Sequence, residues 1–256
     1  MGSSLLKAEA LSKTYRRGGA TVAALDRVDL GIGVASTVAL VGPSGGGKST
    51  LGRCLALLEE PSSGEIWFER RRLSALDRRQ KQRLRPRIQL IFQDPAAALN
   101  PRFSALEAVA EPLAIRRWDR RRRRRRAVEL LGEVAFPGEL AGRSTRELSG
   151  GQRQRLVIAR ALAAEPRVLI LDEGLSALDL SLQAQMVNLL VDLQERRGLA
   201  YLLISHDLRL AAHLAGEIAV LDRGHIVERA APADLLARPR HAATRALVGA
   251  LPGGEG

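Results

Sequence analysis

The chain has 256 residues, 46% of them hydrophobic, enough to bury the core of one substantial domain and too many for a globally disordered chain. Its formal charge of +12 points to an acidic partner, whether nucleotide, nucleic acid or anionic membrane, without choosing among them. One cysteine, Cys54, excludes an intramolecular disulfide and a cysteine metal cluster. With no apolar run of about 18 residues and no secretory pattern in the first ten, the sequence predicts a soluble protein that only a partner would hold at a membrane.

In chain order, residues 21–25 and 28–32 show partly alternating apolar residues, punctuated by Gly18-Gly19, Gly31 and Gly33. The first forty residues therefore read as short strands separated by turns. Residues 37–41 form an apolar strand that runs straight into a glycine-rich loop. Beyond it Leu51, Leu55 and Leu58 recur at helical spacing with Cys54 on the same face, which makes Cys54 a small buried apolar residue. A turn at 61–64 leads into a strand at 65–68, and a strand at 88–92 ends at Gln93.

From there to about residue 164 the pattern is mainly helical, broken by Pro95, Pro101, Pro112 and Pro137-Gly138, as for a helical insertion between strands. The arginine run at 120–126 reads as the solvated face of a helix continuing into Ala127, Val128, Leu130 and Leu131; contact with phospholipid head groups or nucleic acid is the functional alternative. Residues 168–171 are continuously apolar, as a parallel strand buried on both faces requires. A helix at 182–196, a strand at 200–205, another helix and a hairpin around 222–224 follow. Strands alternating with helices on both sides of an insertion predict an α/β fold with a mainly parallel sheet.

Gly42-Pro43-Ser44-Gly45-Gly46-Gly47-Lys48-Ser49 matches the phosphate-binding loop pattern in full. Glycines let backbone N–H groups turn inward and ring a phosphate chain. Lys48 can reach the β- and γ-phosphates, Ser49 offers a hydroxyl to Mg²⁺, and the helix starting there, with Thr50 in its first turn, points its positive end at the anion. The strand at 168–171 delivers Asp172, placed to hold a Mg²⁺-bound water, and Glu173, placed to orient or deprotonate the attacking water.

Leu148-Ser149-Gly150-Gly151-Gln152-Arg153-Gln154-Arg155, whose last residue precedes Asp172 by 17, resembles the signature motif of ATP-binding cassette (ABC) proteins. Ser149 and the amides of Gly150-Gly151 at a helix start make a second anion pocket; in the family this pocket, with Gln152, binds the γ-phosphate of ATP held by the other subunit. The resemblance covers about residues 5–252. It implies that Gln93 senses Mg²⁺ and the attacking water while linking to the transmembrane partner. It also implies that Ser176-Ala177-Leu178-Asp179 crosses the dimer interface, that His206 contacts the γ-phosphate and that Tyr15 stacks on adenine. His213, His225 and His241 match nothing in the family and read as surface or packing residues.

Phe92-Gln93-Asp94-Pro95, Leu99-Asn100-Pro101-Arg102, Gln183-Ala184-Gln185 and a tail from His241 to Leu247 resemble the peptide/nickel importer branch. In that tail Ala242 and Ala243 replace the branch's Pro and Tyr. The branch's C-terminal cysteine cluster is missing, which makes the chain similar to the shorter nickel or metallophore subunits. Gly174 stands where Pro or Ala is usual, and slight loosening without loss of activity is expected.

The resemblance implies one ABC ATPase domain over 1–256. About 1–93 and 165–228 form a P-loop NTPase core with an N-terminal antiparallel β subdomain. About 94–164 form an inserted α-helical subdomain with the signature, and about 229–256 a short extension. It further implies a second ABC ATPase subunit, two transmembrane permease subunits and an extracytoplasmic substrate-binding protein, with the chain on the cytoplasmic face of the inner membrane. A soluble ABC ATPase acting on DNA or ribosomes is the other reading. Such proteins carry a long coiled coil between loop and signature, or two cassettes, and this chain has neither.

Overall fold

The computed structural model describes residues 4–17, 20–174 and 179–251; Ser176, Ala177 and Leu178 of the expected interface segment lie outside them. In the first layer, alternation places Leu6, Ala8, Leu11, Leu25, Val28, Leu30 and Ile32 in a core. Two long antiparallel strands carry them, β1 (Leu6–Arg17) and β2 (Ala20–Ile32). This corrects the expected short strands. Register shifts after Ala8, Leu11 and Lys13, with Ala10 and Arg27 at positive φ, absorb the breaks in alternation as bulges instead of ending the strands.

β3 (Thr37–Val41) is buried along its whole length and feeds the loop, after which α1 (Lys48–Leu55) begins. The helix is shorter than the leucine spacing implied. Leu57 takes φ 60° and Leu58 lies exposed beyond the end, so the buried stripe is Leu51, Cys54 and Leu55. β4 (Ser63–Phe68) and β5 (Arg71–Arg72) complete a four-stranded sheet in the order β2-β1-β4-β5. Next comes α2 (Arg78–Leu84), unforeseen because it buries no residue; a capping box between Asp77 and Gln80 holds its start.

β6 (Ile88–Ile91) leads to three helices, α3 (Ala105–Ile115), α4 (Arg120–Glu133) and α5 (Gly150–Leu162). The chain then runs through β7 (Val168–Asp172), α6 (Leu180–Arg197), β8 (Ala200–Ile204), α7 (Leu208–Leu214), β9 (Glu217–Asp222), β10 (His225–Ala230), α8 (Pro232–Ala237) and α9 (Ala242–Gly249). The second sheet has the order β10-β9-β3-β8-β7-β6. Its strands are parallel except β10, which pairs antiparallel with β9.

Because successive side chains leave opposite faces of a strand, this sheet divides two cores. Ala39, Val41, Leu169, Leu171, Tyr201, Leu203, Ile218 and Val220 join α5, α6 and the helical insertion. Val38, Leu40, Val168, Ile170, Leu202, Ile204, Ala219 and Leu221 join α1 and the four-stranded sheet. The fold is α/β, with an antiparallel β layer on one side of a mainly parallel sheet and helices inserted between β6 and β7.

Candidate active site

The phosphate loop is shaped by close backbone approach. Gly42 has φ 149°, and a β-carbon there would lie 2.0 Å from the Leu221 carbonyl oxygen; one on Gly47, at φ 104°, would lie 2.2 Å from that of Ala24. Only glycine fits either position. The turn closes with the Gly46 N–H donating to Pro43 O at 3.2 Å, and the Gly224 N–H donates to Gly46 O at 3.1 Å. The loop is thus clasped between β2 and the β9–β10 turn. Ser44 and Gly45 face solvent.

Lys48 is buried and folds back over the loop, donating from Nζ to the carbonyls of Gly42 at 2.8 Å and Pro43 at 2.9 Å. Burial, partly offset by Glu173 and Asp172, holds its ammonium below the ordinary lysine value. Ser49 Oγ donates to Asp172 Oδ1 at 2.9 Å. Burial holds the Asp172 carboxyl above the ordinary aspartate value, the Ser49 hydrogen bond acts against it, and neighbouring Glu173 adds to the rise. A serine hydroxyl, a carboxylate and the Gln93 amide oxygen are hard oxygen donors, the set that suits Mg²⁺. Among the described residues no cluster of three or more His, Cys, Asp or Glu forms a metal cage.

Glu173 leaves β7 with φ 53°, a left-handed conformation that costs a residue with a β-carbon about 1 kcal/mol. Its N–H donates to Ile204 O at 2.9 Å. Its carboxylate accepts from Gln93 Nε2 at 3.0 Å and lies 3.6 Å from Nδ1 of His206. The sheet thereby gathers Lys48, Ser49, Gln93, Asp172, Glu173 and His206 at the C-terminal ends of its parallel strands, where open α/β sheets bind ligands.

The signature residues stand apart. Ser149 caps α5, accepting at Oγ from the Gln152 N–H at 3.3 Å, while Gln152 Oε1 accepts from the Ser149 N–H at 2.9 Å. Ser149 and Gly150 are exposed, whereas Gly151 is buried against Leu182 of α6. Among the described residues no hydrogen bond joins Ser149, Gly150, Gly151 or Gln152 to the loop from Gly42 to Thr50. Asp179 is exposed and caps α6 through the Leu182 N–H at 2.9 Å.

Tyr15, half-buried on β1, donates its hydroxyl to Thr50 Oγ1 at 3.4 Å. Arg53 reaches the same Thr50 oxygen at 3.4 Å and Glu59 at 3.3 Å. It is a flanking cation the sequence reading passed over, and its i+3 spacing from Thr50 on α1 was the available signal. Gln154 was also missed. It is wholly buried, neither side-chain polar atom has a partner among the described residues, and its Nε2 lies 3.0 Å from where a β-carbon on Gly174 would sit. Cys54 is buried, and burial pushes its thiol up to about 11. His213 is exposed, His225 lies 3.6 Å from Asp26, and His241 caps α9.

A glycine loop joining strand to helix, with a buried aspartate two strands away bonded to its serine, defines a P-loop nucleotide hydrolase. The family follows from comparison: the model described as "ABC transporter" matches residues 25–176, and the chain belongs to this family. It is an ATPase that uses ATP with Mg²⁺.

A putative peptide import ATP-binding protein of Brucella ovis is 45% identical over 252 residues, covering 97% of this chain and 78% of that one. The glutathione import ATP-binding protein GsiA of Pectobacterium atrosepticum is 44% identical over 90% of this chain but only 37% of its own. Among solved structures, the dimeric post-hydrolysis ATP-binding cassette MJ0796 bound to ADP and Pi superposes with a TM-score of 0.81 at 32% identity. That match covers 89% of this chain and 98% of the other. CbiO1 from Clostridium perfringens, part of the ABC transporter complex cbiONQ, gives 0.82 at 29% identity, with 92% and 91% covered.

Proposed function

We propose that this ATPase energises a peptide importer, as one of two cassettes bound to two permease subunits on the cytoplasmic face of the inner membrane and supplied by an extracytoplasmic binding protein. The observation that carries the reading is the separation of two anion sites on one chain. The loop with its hydrolytic side chains forms one surface, and the capped, exposed start of α5 forms another, with no hydrogen bond to the loop among the described residues. A lone chain holds two halves of two different sites, and two chains arranged head to tail complete both. The dimeric cassette structure with ADP and Pi and the relatives named for peptide import support the choice. Among the described residues no helix is long and apolar enough to cross a membrane, which suits a subunit held by partners. On this reading the whole chain, 1–256, is one cassette: core at about 1–93 and 165–228, helical subdomain at about 94–164, and extension at about 229–256.

The residue roles proposed here rest on the family resemblance and are supported by the way the site is arranged. The loop amides bind the phosphates, and Lys48 exchanges its loop carbonyls for the β- and γ-oxygens. Ser49, Gln93 and, through water, Asp172 would hold Mg²⁺, which would supply neutralisation of phosphate charge. Glu173 accepts a proton from, or orients, the attacking water; His206 contacts the γ-phosphate; Tyr15 stacks on adenine. Ser149, Gly150, Gly151 and Gln152 bind the γ-phosphate held by the partner subunit, with Asp179 at the interface. Coupling to the permeases runs through the region of Gln93 and the helical insertion.

The test is purification of the assembly from membranes and reconstitution in proteoliposomes. ATP hydrolysis stimulated by binding protein loaded with peptide is expected. Tight, salt-sensitive nucleic-acid binding without any membrane partner would instead favour the soluble ATPase.

A further inference from the structure

The arginine run does not behave as a face neutralised by its own fold. Residues 116–126 contain nine arginines and one aspartate, gathered where α3 ends and α4 begins. Asp119 is spent on the helix cap, accepting from the Arg122 N–H at 2.9 Å. Arg116 reaches Glu165 at 3.5 Å, and Arg125 and Arg126 reach Glu129. Among the described residues, the side chains of Arg117, Arg120, Arg121, Arg123 and Arg124 have no carboxylate within 4.0 Å and no hydrogen-bond acceptor, although Arg120, Arg123 and Arg124 share a cleft with Glu107 and Glu111 of α3. Five cations thus crowd the corner at the positive end of a helix that carries no acidic residue in its first turn. That placement works against the fold, since helix starts favour anions and like charges three or four residues apart repel.

Apolar groups accompany the charge. Ile115 is 75% exposed at the last turn of α3, and Val128 is exposed on α4. Arg121, Arg124, Arg125 and Val128 follow one another at i, i+3, i+4 and i+7, one outward stripe of α4. Trp118 packs its ring into the helical core, and the Arg122 guanidinium lies over it with Cζ 3.9 Å from the centroid. That stacking fixes one cation while removing the corner's only indole as a platform for bases, the feature single-stranded nucleic acid requires. A basic surface with aliphatic side chains set into it suits the head-group layer of an anionic bilayer.

We infer that the α3–α4 corner is a binding surface for anionic phospholipid, with Arg117, Arg121, Arg124 and Arg125 facing phosphate and Ile115 and Val128 entering the interface. The inference does not depend on the transported molecule or on any permease, because the free chain carries the surface.

The purified full chain, sedimented with phosphatidylcholine vesicles with or without phosphatidylglycerol, tests it. Binding only to phosphatidylglycerol vesicles, weakening steeply with salt, is expected. Each arginine replaced by glutamine should weaken binding by roughly fivefold. The quadruple Arg117, Arg121, Arg124, Arg125→Gln variant should lose nearly all of it while its basal ATP hydrolysis and fold persist. The matching quadruple Lys variant should retain binding, and Ile115→Ser should weaken it several-fold without changing the salt dependence. Equal binding to pure phosphatidylcholine, or wild-type binding by the quadruple Gln variant, would overturn the proposal. So would capture of short RNA or duplex DNA by the same arginines more tightly than of phosphatidylglycerol vesicles.

Discussion

Gln93 donates to Glu173 across 80 positions of sequence, at 3.0 Å, so a residue two positions beyond the end of β6 restrains the carboxylate that follows β7. If Glu173 is the base, Glu173→Gln should leave ATP binding intact, slow turnover by about a thousandfold and accumulate a closed dimer with ATP. Radiolabelled ATP release and size-exclusion chromatography measure all three. Turnover at the normal rate would remove Glu173 from its role.

Gln93→Ala removes one hydrogen bond from that carboxylate and takes away an oxygen donor. Hydrolysis should fall roughly tenfold or more, and the Mg²⁺ concentration needed for half-maximal rate should rise. An unchanged Mg²⁺ titration would mean that Gln93 only positions Glu173.

Asp172 offers a pH test. Its folded pKa is raised, so the ionised carboxylate costs stability at pH values above that folded pKa. The cost is relieved as pH falls through the folded pKa toward the unfolded value. Asp172→Asn keeps an acceptor for Ser49 and removes the charge. It should melt higher than the parent at neutral pH, the gap should shrink on acidification toward the ordinary aspartate range, and ATP hydrolysis should be lost. Melting curves of both proteins across that range decide it, and a gap that widens on acidification contradicts the assignment.

Ser149 does two jobs that substitution can separate. Ser149→Ala removes the α5 cap and should cost about 1 kcal/mol of stability. Ser149→Asp caps well but puts an anion where the partner's γ-phosphate would sit, so it should melt normally yet fail to dimerise with ATP. In mixed dimers the hydrolytic defect should fall on the ATP bound by the other subunit's loop.

Gln154 is a buried amide with no partner among the described residues, and such groups cost about 1–3 kcal/mol. Gln154→Met fills the same space without polar atoms and should raise Tm by roughly 2–4 °C. A lower Tm would indicate an ordered water bound to that amide.

Sequence alone carried the architecture wherever one residue type had one physical use. Continuous apolar runs at 37–41 and 168–171 became β3 and β7 because strands buried on both faces need nothing else. The glycine loop was legible because Gly42 and Gly47 occupy positions no other residue tolerates. The two long N-terminal strands were not, since bulges at Ala10 and Arg27 break alternation without ending a strand. Nor was α2, whose seven residues have no apolar face to announce them. At the site, the proximity of Gln93, Glu173 and His206 came from resemblance, because local spacing cannot report contacts across 80 residues. Gln154 carried no local signal of a missing partner, and the i+3 spacing of Arg53 from Thr50 was too common on helices to single it out.

The strand that presents the phosphate loop pairs only with β8 and β9, both made after residue 199. During synthesis at about 5–20 residues per second, β3 therefore waits on the order of ten seconds or more with both edges unsatisfied. The carbonyl of Leu221 and the amide of Gly224 that shape the loop arrive later still. A fragment ending at residue 176 would contain the loop, the signature and both acidic residues, yet lack every strand that brackets β3. Nucleotide capture is in this sense a late event in the life of the chain, and the nascent protein passes most of its synthesis with a fully written but unfolded phosphate loop.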